Sequence, residues 1–105
     1  MAPLKARVLV NNSIHIISIS VTNPKYGSTR HMNICLSDSE GVSKPIKLGY
    51  YLVTTLTDGS YGVTRCLDAG ITPVSRCLTL AACQAAVLAD YLKWTGIELA
   101  YVKEV

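Results

Sequence analysis

The dipeptide Asp58-Gly59 constrains the fold of this chain more than any other feature. Aspartate followed by glycine fills the two central positions of a hairpin turn whose twist suits antiparallel strands. The flanks agree, because Tyr50 to Thr57 is rich in β-branched and aromatic residues and Tyr61 to Leu67 returns in the same style. Alternation sets Tyr50, Leu52, Thr54 and Leu56 on one side of the first strand, and Tyr51, Val53, Thr55 and Thr57 on the other.

The same two-residue period runs upstream. Ala6 to Val10 is a short apolar run broken by Asn11-Asn12-Ser13, residues that tolerate turn conformations. Ile14 to Thr22 then alternates, with Ile17, Ile19 and Val21 facing one way and Ser18, Ser20 and Thr22 the other. Asn23-Pro24-Lys25-Tyr26-Gly27 reads as a turn. Thr29 to Ser37 supplies the returning strand, with Arg30, Met32, Ile34 and Leu36 on one face and His31, Asn33, Cys35 and Ser37 on the other. Asp38 to Lys44 is a polar loop, and Ile46 onward leads into the next strand.

After Gly70 the period changes. Thr72-Pro73 fits an N-cap with proline at the first helical position, and Gly96 fits the left-handed residue beyond the last turn. A helix of up to ~22 residues fits between them. Leu78, Ala81, Ala82, Ala85, Leu88, Ala89 and Leu92 make a wide apolar stripe, flanked by Val87, Tyr91 and Trp94. So few polar residues remain that the helix is expected to pack on two sides. Ile97 to Val105 alternates weakly and reads as a last strand in preference to a short second helix. The expected fold is a single α+β domain over residues 1–105: an antiparallel sheet built from hairpins, followed by one long helix packed on the sheet and on a dimer partner.

Composition supports that partner. Half of the 105 residues are hydrophobic and 16% are charged, against ~25% charged in an ordinary soluble domain. A domain of this size buries only about two-thirds of its chain surface, so the surplus points to burial against a second copy or another partner, with oligomerisation the default expectation. The formal charge of +3 is scattered along the sequence, which permits phosphate contacts without forming a clustered basic stripe. Cys35, Cys66, Cys77 and Cys83 contain no C-x-x-C pair, so free, buried thiols in a reducing, intracellular setting are expected. No leader pattern and no run of 18 apolar residues suggest export or a membrane partner.

Catalysis, metals and cofactors find no motif. His31 and Cys35 share a strand face but stand ~13 Å apart at the strand rise, beyond proton transfer. The seven carboxylates fall mainly in turns or near element ends, and Gly59 and Gly62 straddle a hairpin instead of opening a phosphate loop. Ser18, Ser20, Thr22, His31, Asn33, Ser37, Thr55, Thr57 and Thr64 suggest a broad polar sheet face. Such a face is either an ordinary solvent-facing surface or one able to donate to the phosphates and base edges of RNA.

The order of these features, "RVLVNN", then "SISVTNPKYGSTRHMNICLSD", a further hairpin and an Ala/Leu-rich helix, resembles the coat proteins of single-stranded RNA bacteriophages. The chain is shorter than the familiar members, and "IELAYVKEV" does not read as their second helix. The resemblance implies a homodimer, assembly into a shell, a virion location, and RNA held against the polar sheet face. It implies RNA contacts at His31, Asn33, Lys47, Thr55, Thr57 and Thr64, and a dimer interface at Leu78, Ala82, Ala85, Leu88, Leu92 and Trp94. The competing expectation is a small phage or microbial inhibitor or adaptor, cytoplasmic, that binds a host protein without catalysis. A small-ligand or enzymatic domain is a third class that no particular residue favours.

Overall fold

The computed structural model of the chain describes residues 2–10, 12–22, 31–38, 49–97 and 102–104. Its strands are β1 (Leu4–Val10), β2 (Ser13–Thr22), β3 (His31–Ser37), β4 (Tyr50–Thr55), β5 (Tyr61–Leu67), β6 (Gly70–Cys77) and β7 (Val102–Glu104), with helix α1 (Leu80–Thr95) between the last two. They form one antiparallel sheet in the order β6-β5-β4-β3-β2-β1-β7. The first six strands therefore lie side by side in chain order, and the C-terminal strand comes back to the far edge beside β1. The fold is α+β, as the change of period from two to 3.6 implies.

Alternation along each strand decides what the helix covers. Ala6 and Val8 of β1, Ile17 and Ile19 of β2, Ile34 and Leu36 of β3, Tyr51 and Val53 of β4 and Val63 of β5 are buried on one face. The helix meets them with Cys83, Val87, Leu88, Tyr91 and Leu92. The buried Gln84 amide donates to the carbonyls of Ile19 (2.9 Å) and Ala2 (3.1 Å), tying β2 and the N-terminal segment to α1. Among the described residues no buried side-chain polar atom lacks a partner.

The turns follow the local chemistry. Gly59 has φ +84°, and the Asp58 carboxylate receives hydrogen bonds from the Ser60 N–H (3.0 Å) and hydroxyl (2.6 Å). Gly96 ends α1 at φ 76°, its N–H bonded to the Leu92 carbonyl.

Two expectations need correction. Thr72-Pro73 does not start the helix: both residues lie in β6, and the helix begins at Leu80 with Thr79 as N-cap, its hydroxyl accepting from the Ala82 N–H at 3.1 Å. Asp68-Ala69 makes a second tight turn, from Leu67 back to Gly70, so a sixth strand precedes the helix. Pro73 is tolerated there because β6 is an edge strand and the register shifts beside it, between Val63 and Thr64. The covered helix stripe is also rotated. Cys83, Gln84, Val87, Leu88, Tyr91 and Leu92 turn inward, whereas Ala81, Ala85 and Ala89 are exposed, since the bulkier side chains gain more from burial.

Between helix and sheet lies one polar network. The Tyr51 hydroxyl donates to Asp90 Oδ2 (2.6 Å), Arg65 Nη1 donates to both Asp90 oxygens (2.9 and 3.0 Å), and Trp94 Nε1 donates to the Tyr51 hydroxyl (2.9 Å). Trp94 also packs edge-on against Tyr91, ring centroids 5.5 Å apart. A Cβ built on Gly49 would sit 3.0 Å from the Trp94 ring. Gly49→Ala is therefore expected to displace Trp94 and lower stability by about 1–2 kcal/mol, measured by urea unfolding. An unchanged midpoint would show that the ring yields freely.

Candidate functional site

The face opposite α1 is uncovered among the described elements, and cross-strand register assembles it. Lys5 pairs with Ser18, Arg7 with Ile16 and Leu9 with Ile14. Ser18 continues to Ser37, Ser20 to Cys35 and Thr22 to Asn33. Across β3 and β4, His31 pairs with Thr54, Asn33 with Leu52 and Cys35 with Tyr50. Beyond them Leu52 pairs with Thr64 and Tyr50 with Cys66. Because each of these positions alternates with a buried one, all share the uncovered side.

The polar groups there engage one another across the strands. His31 Nδ1 lies 3.1 Å from the Thr54 hydroxyl. The Tyr50 hydroxyl donates to Asn33 Oδ1, and the Thr22 hydroxyl donates to the Asn33 carbonyl at 3.4 Å and lies 3.5 Å from Cys35 Sγ. Tyr50 keeps 44% of its surface exposed and Ile14 63%. Such a surface offers hydroxyls, an amide and an imidazole as donors and acceptors, with an exposed aromatic ring among them.

No carboxylate stands beside His31 among the described residues to orient its ring as a general base for the Thr54 hydroxyl. The other histidine, His15, is buried on the covered side, its Nδ1 2.8 Å from Asp38 Oδ2. Among the described residues no three His, Cys, Asp or Glu side chains gather to hold a metal.

Compared with protein-family profiles, curated proteins and solved structures, the chain matches none.

The RNA-contact residues expected from sequence distribute unevenly. His31, Asn33 and Thr64 come together on the uncovered face. Thr55 does not join them: it pairs with Tyr61 and shares the parity of Tyr51 and Val53, on the helix side. Thr57 lies in the β4–β5 turn, and Lys47 lies outside the described residues. Thr54, not Thr55, stands opposite His31. The sequence split Thr54 from Thr55 correctly, but which parity meets His31 depends on a register set across the β3–β4 connection.

The dimer candidates divide as well. Leu88 and Leu92 are buried against the chain's own sheet, Ala82 and Trp94 are half-buried, and Ala85 and Leu78 are exposed, Leu78 at 83%. The thiols differ from expectation too. Cys77 and Cys83 are buried, but Cys66 is half-buried and Cys35 exposed, because both fall on the uncovered parity. Burial first, then the neighbouring Cys77, pushes the Cys83 thiol up to about 12, leaving it a poor nucleophile. No helix among the described residues is long and apolar enough to cross a membrane.

Proposed function

We propose that this chain is a self-assembling, non-enzymatic coat-like protein that forms homodimers, builds a shell in a virion, and binds single-stranded RNA on the uncovered sheet face. The observation that carries the reading is the asymmetry of the sheet. One face is filled by α1, while the other presents Ser18, Ser20, Thr22, His31, Asn33, Thr54 and Thr64 with no described element over it. Single-stranded RNA suits such a face, since its sugar hydroxyls, phosphates and unpaired base edges accept and donate to short polar side chains.

Dimerisation has two supports. β6 is an edge strand exposed along most of its length, with backbone groups able to pair with another strand. Beside it Leu78, Ala81, Ala85 and Ala89 leave an exposed apolar surface at the start of the helix and along it. A second copy, related by a two-fold axis, buries both features at once. Leu78→Asp is expected to leave the fold intact and to raise the dimer dissociation constant at least tenfold, because a carboxylate would be desolvated at that contact. Sedimentation velocity across a concentration series reads this out. A wild-type chain that stays monomeric at every concentration would rule out the assembly reading and turn attention to a host-protein binder acting without catalysis.

A further inference from the structure

Charge is unevenly placed on the uncovered face. In β1, Ala6 and Val8 enter the core, so Lys5 and Arg7 are exposed on the opposite side, about 7 Å apart at the strand rise. Lys103 of β7 stands in register with Arg7. Neither Lys5 nor Arg7 forms an ion pair among the described residues.

The described carboxylates lie elsewhere. Asp38 meets His15 and Asp90 meets Arg65 on the helix side. Asp68 sits in the β5–β6 turn. Asp58 meets Arg76 at the opposite end of the sheet, so the cation there is already matched. The β1 margin thus carries positive charge with no negative counterpart among the described side chains of its face. Leu9 (37% exposed) and its register partner Ile14 (63%) continue this row as apolar side chains.

We propose that Lys5 and Arg7 form a phosphate-binding row along which the backbone of a single-stranded RNA lies. The inference rests on the RNA-binding reading above and deepens it, since it adds an electrostatic anchor at the β1 margin to the polar groups of the β3–β5 centre. Charge complementarity selects a polyanion. A single row of cations ending in exposed Leu9 and Ile14 selects one strand over two, because unpaired bases can cover apolar side chains whereas a duplex turns its bases inward. Ser18, paired with Lys5, adds a hydroxyl beside the row.

The test is equilibrium binding of the full chain to a fluorescent oligouridine, followed by anisotropy from about 50 to 200 mM salt. Lys5→Gln and Arg7→Gln are each expected to weaken binding about tenfold at the lowest salt and to flatten the slope of log affinity against log salt by about 0.7, the double variant by about 1.4. Lys5→Arg and Arg7→Lys should restore both, and Arg76→Gln, which removes the paired cation at the far end, should change neither. Matching thermal midpoints establish that the variants are folded. If the wild type binds and the double variant keeps its affinity and slope, the row is wrong while the RNA reading stands. If the wild type does not bind the oligomer at any salt, the RNA reading itself fails, and the row with it. Equal or tighter binding of a blunt RNA duplex through the same two residues would overturn the choice of a single strand.

Discussion

Asp90→Ala is expected to cost this fold about 2–4 kcal/mol, the largest loss for any single polar substitution in the chain. The Asp90 carboxylate accepts from the Tyr51 hydroxyl and from Arg65, whose side chains rise from β4 and β5, and it comes from the third turn of α1. Arg65 and Asp90 keep only 19% and 13% of their side-chain surface exposed, so the cation left behind is poorly hydrated. The expected loss stays below that of a fully buried pair because some solvent screening remains. Asp90→Ala combined with Arg65→Met should recover much of the deficit, since the stranded charge is then gone. Urea unfolding of the two variants checks this. A loss below about 0.5 kcal/mol in Asp90→Ala would mean that the network does not hold helix to sheet.

High pH should attack the same region. Burial foremost, aided by the Asp90 carboxylate, raises the Tyr51 phenol well above its ordinary value. Burial and then the Asp38 charge push Tyr91 up to about 12, and Cys83 stands at about 12 as well. Each group is neutral when protonated, and each folded pKa lies above its unfolded one. The unfolded chain therefore releases these protons first, and stability, complete at neutral pH, falls from about pH 9 up to about 12 for Cys83, from about 10 up to about 12 for Tyr91, and from about 10 upward for Tyr51. Within its window each group removes about 1.4 kcal/mol per pH unit. Together they remove about 5 kcal/mol by pH 11 and about 9 by pH 12, so a domain at the lower end of the typical total of about 5–15 kcal/mol is expected to unfold between roughly pH 11 and 12. Circular dichroism over an alkaline titration follows it, and Tyr91→Phe should reduce the pH dependence by one proton. A loss below about 2 kcal/mol between pH 9 and 11, read by urea unfolding, would contradict the burial of these groups.

Much of the sheet was legible from residue order. Asp58-Gly59 marks the β4–β5 hairpin, and the alternations around Ile17, Ile34 and Tyr51 separate covered from uncovered positions because a period of two permits only two faces. Val102–Glu104 does form a strand, where the weak alternation of the tail suggested one. Thr72-Pro73 misled because a proline after threonine suits a helix start and an edge-strand bulge equally well; the deciding turn, Asp68-Ala69 before Gly70, is a weak signal on its own. Alanine was the other source of error. It counts as apolar in a periodicity argument, yet it gains little from burial and favours the helix anywhere, so Ala81, Ala85 and Ala89 could be left outside. The site was half legible: His31, Asn33 and Thr64 follow from alternation, whereas Tyr50, Thr54, Lys5 and Arg7 join them only once register fixes which strand faces align.

The most direct test of the coat-like reading is light scattering of the purified full-length chain, with absorbance at 260 and 280 nm recorded across the same peak. The account predicts a large, uniform particle whose absorbance ratio reveals nucleic acid, and its dissociation into dimers when assembly is disrupted. A monomer of 11.3 kDa free of nucleic acid at every concentration would contradict it.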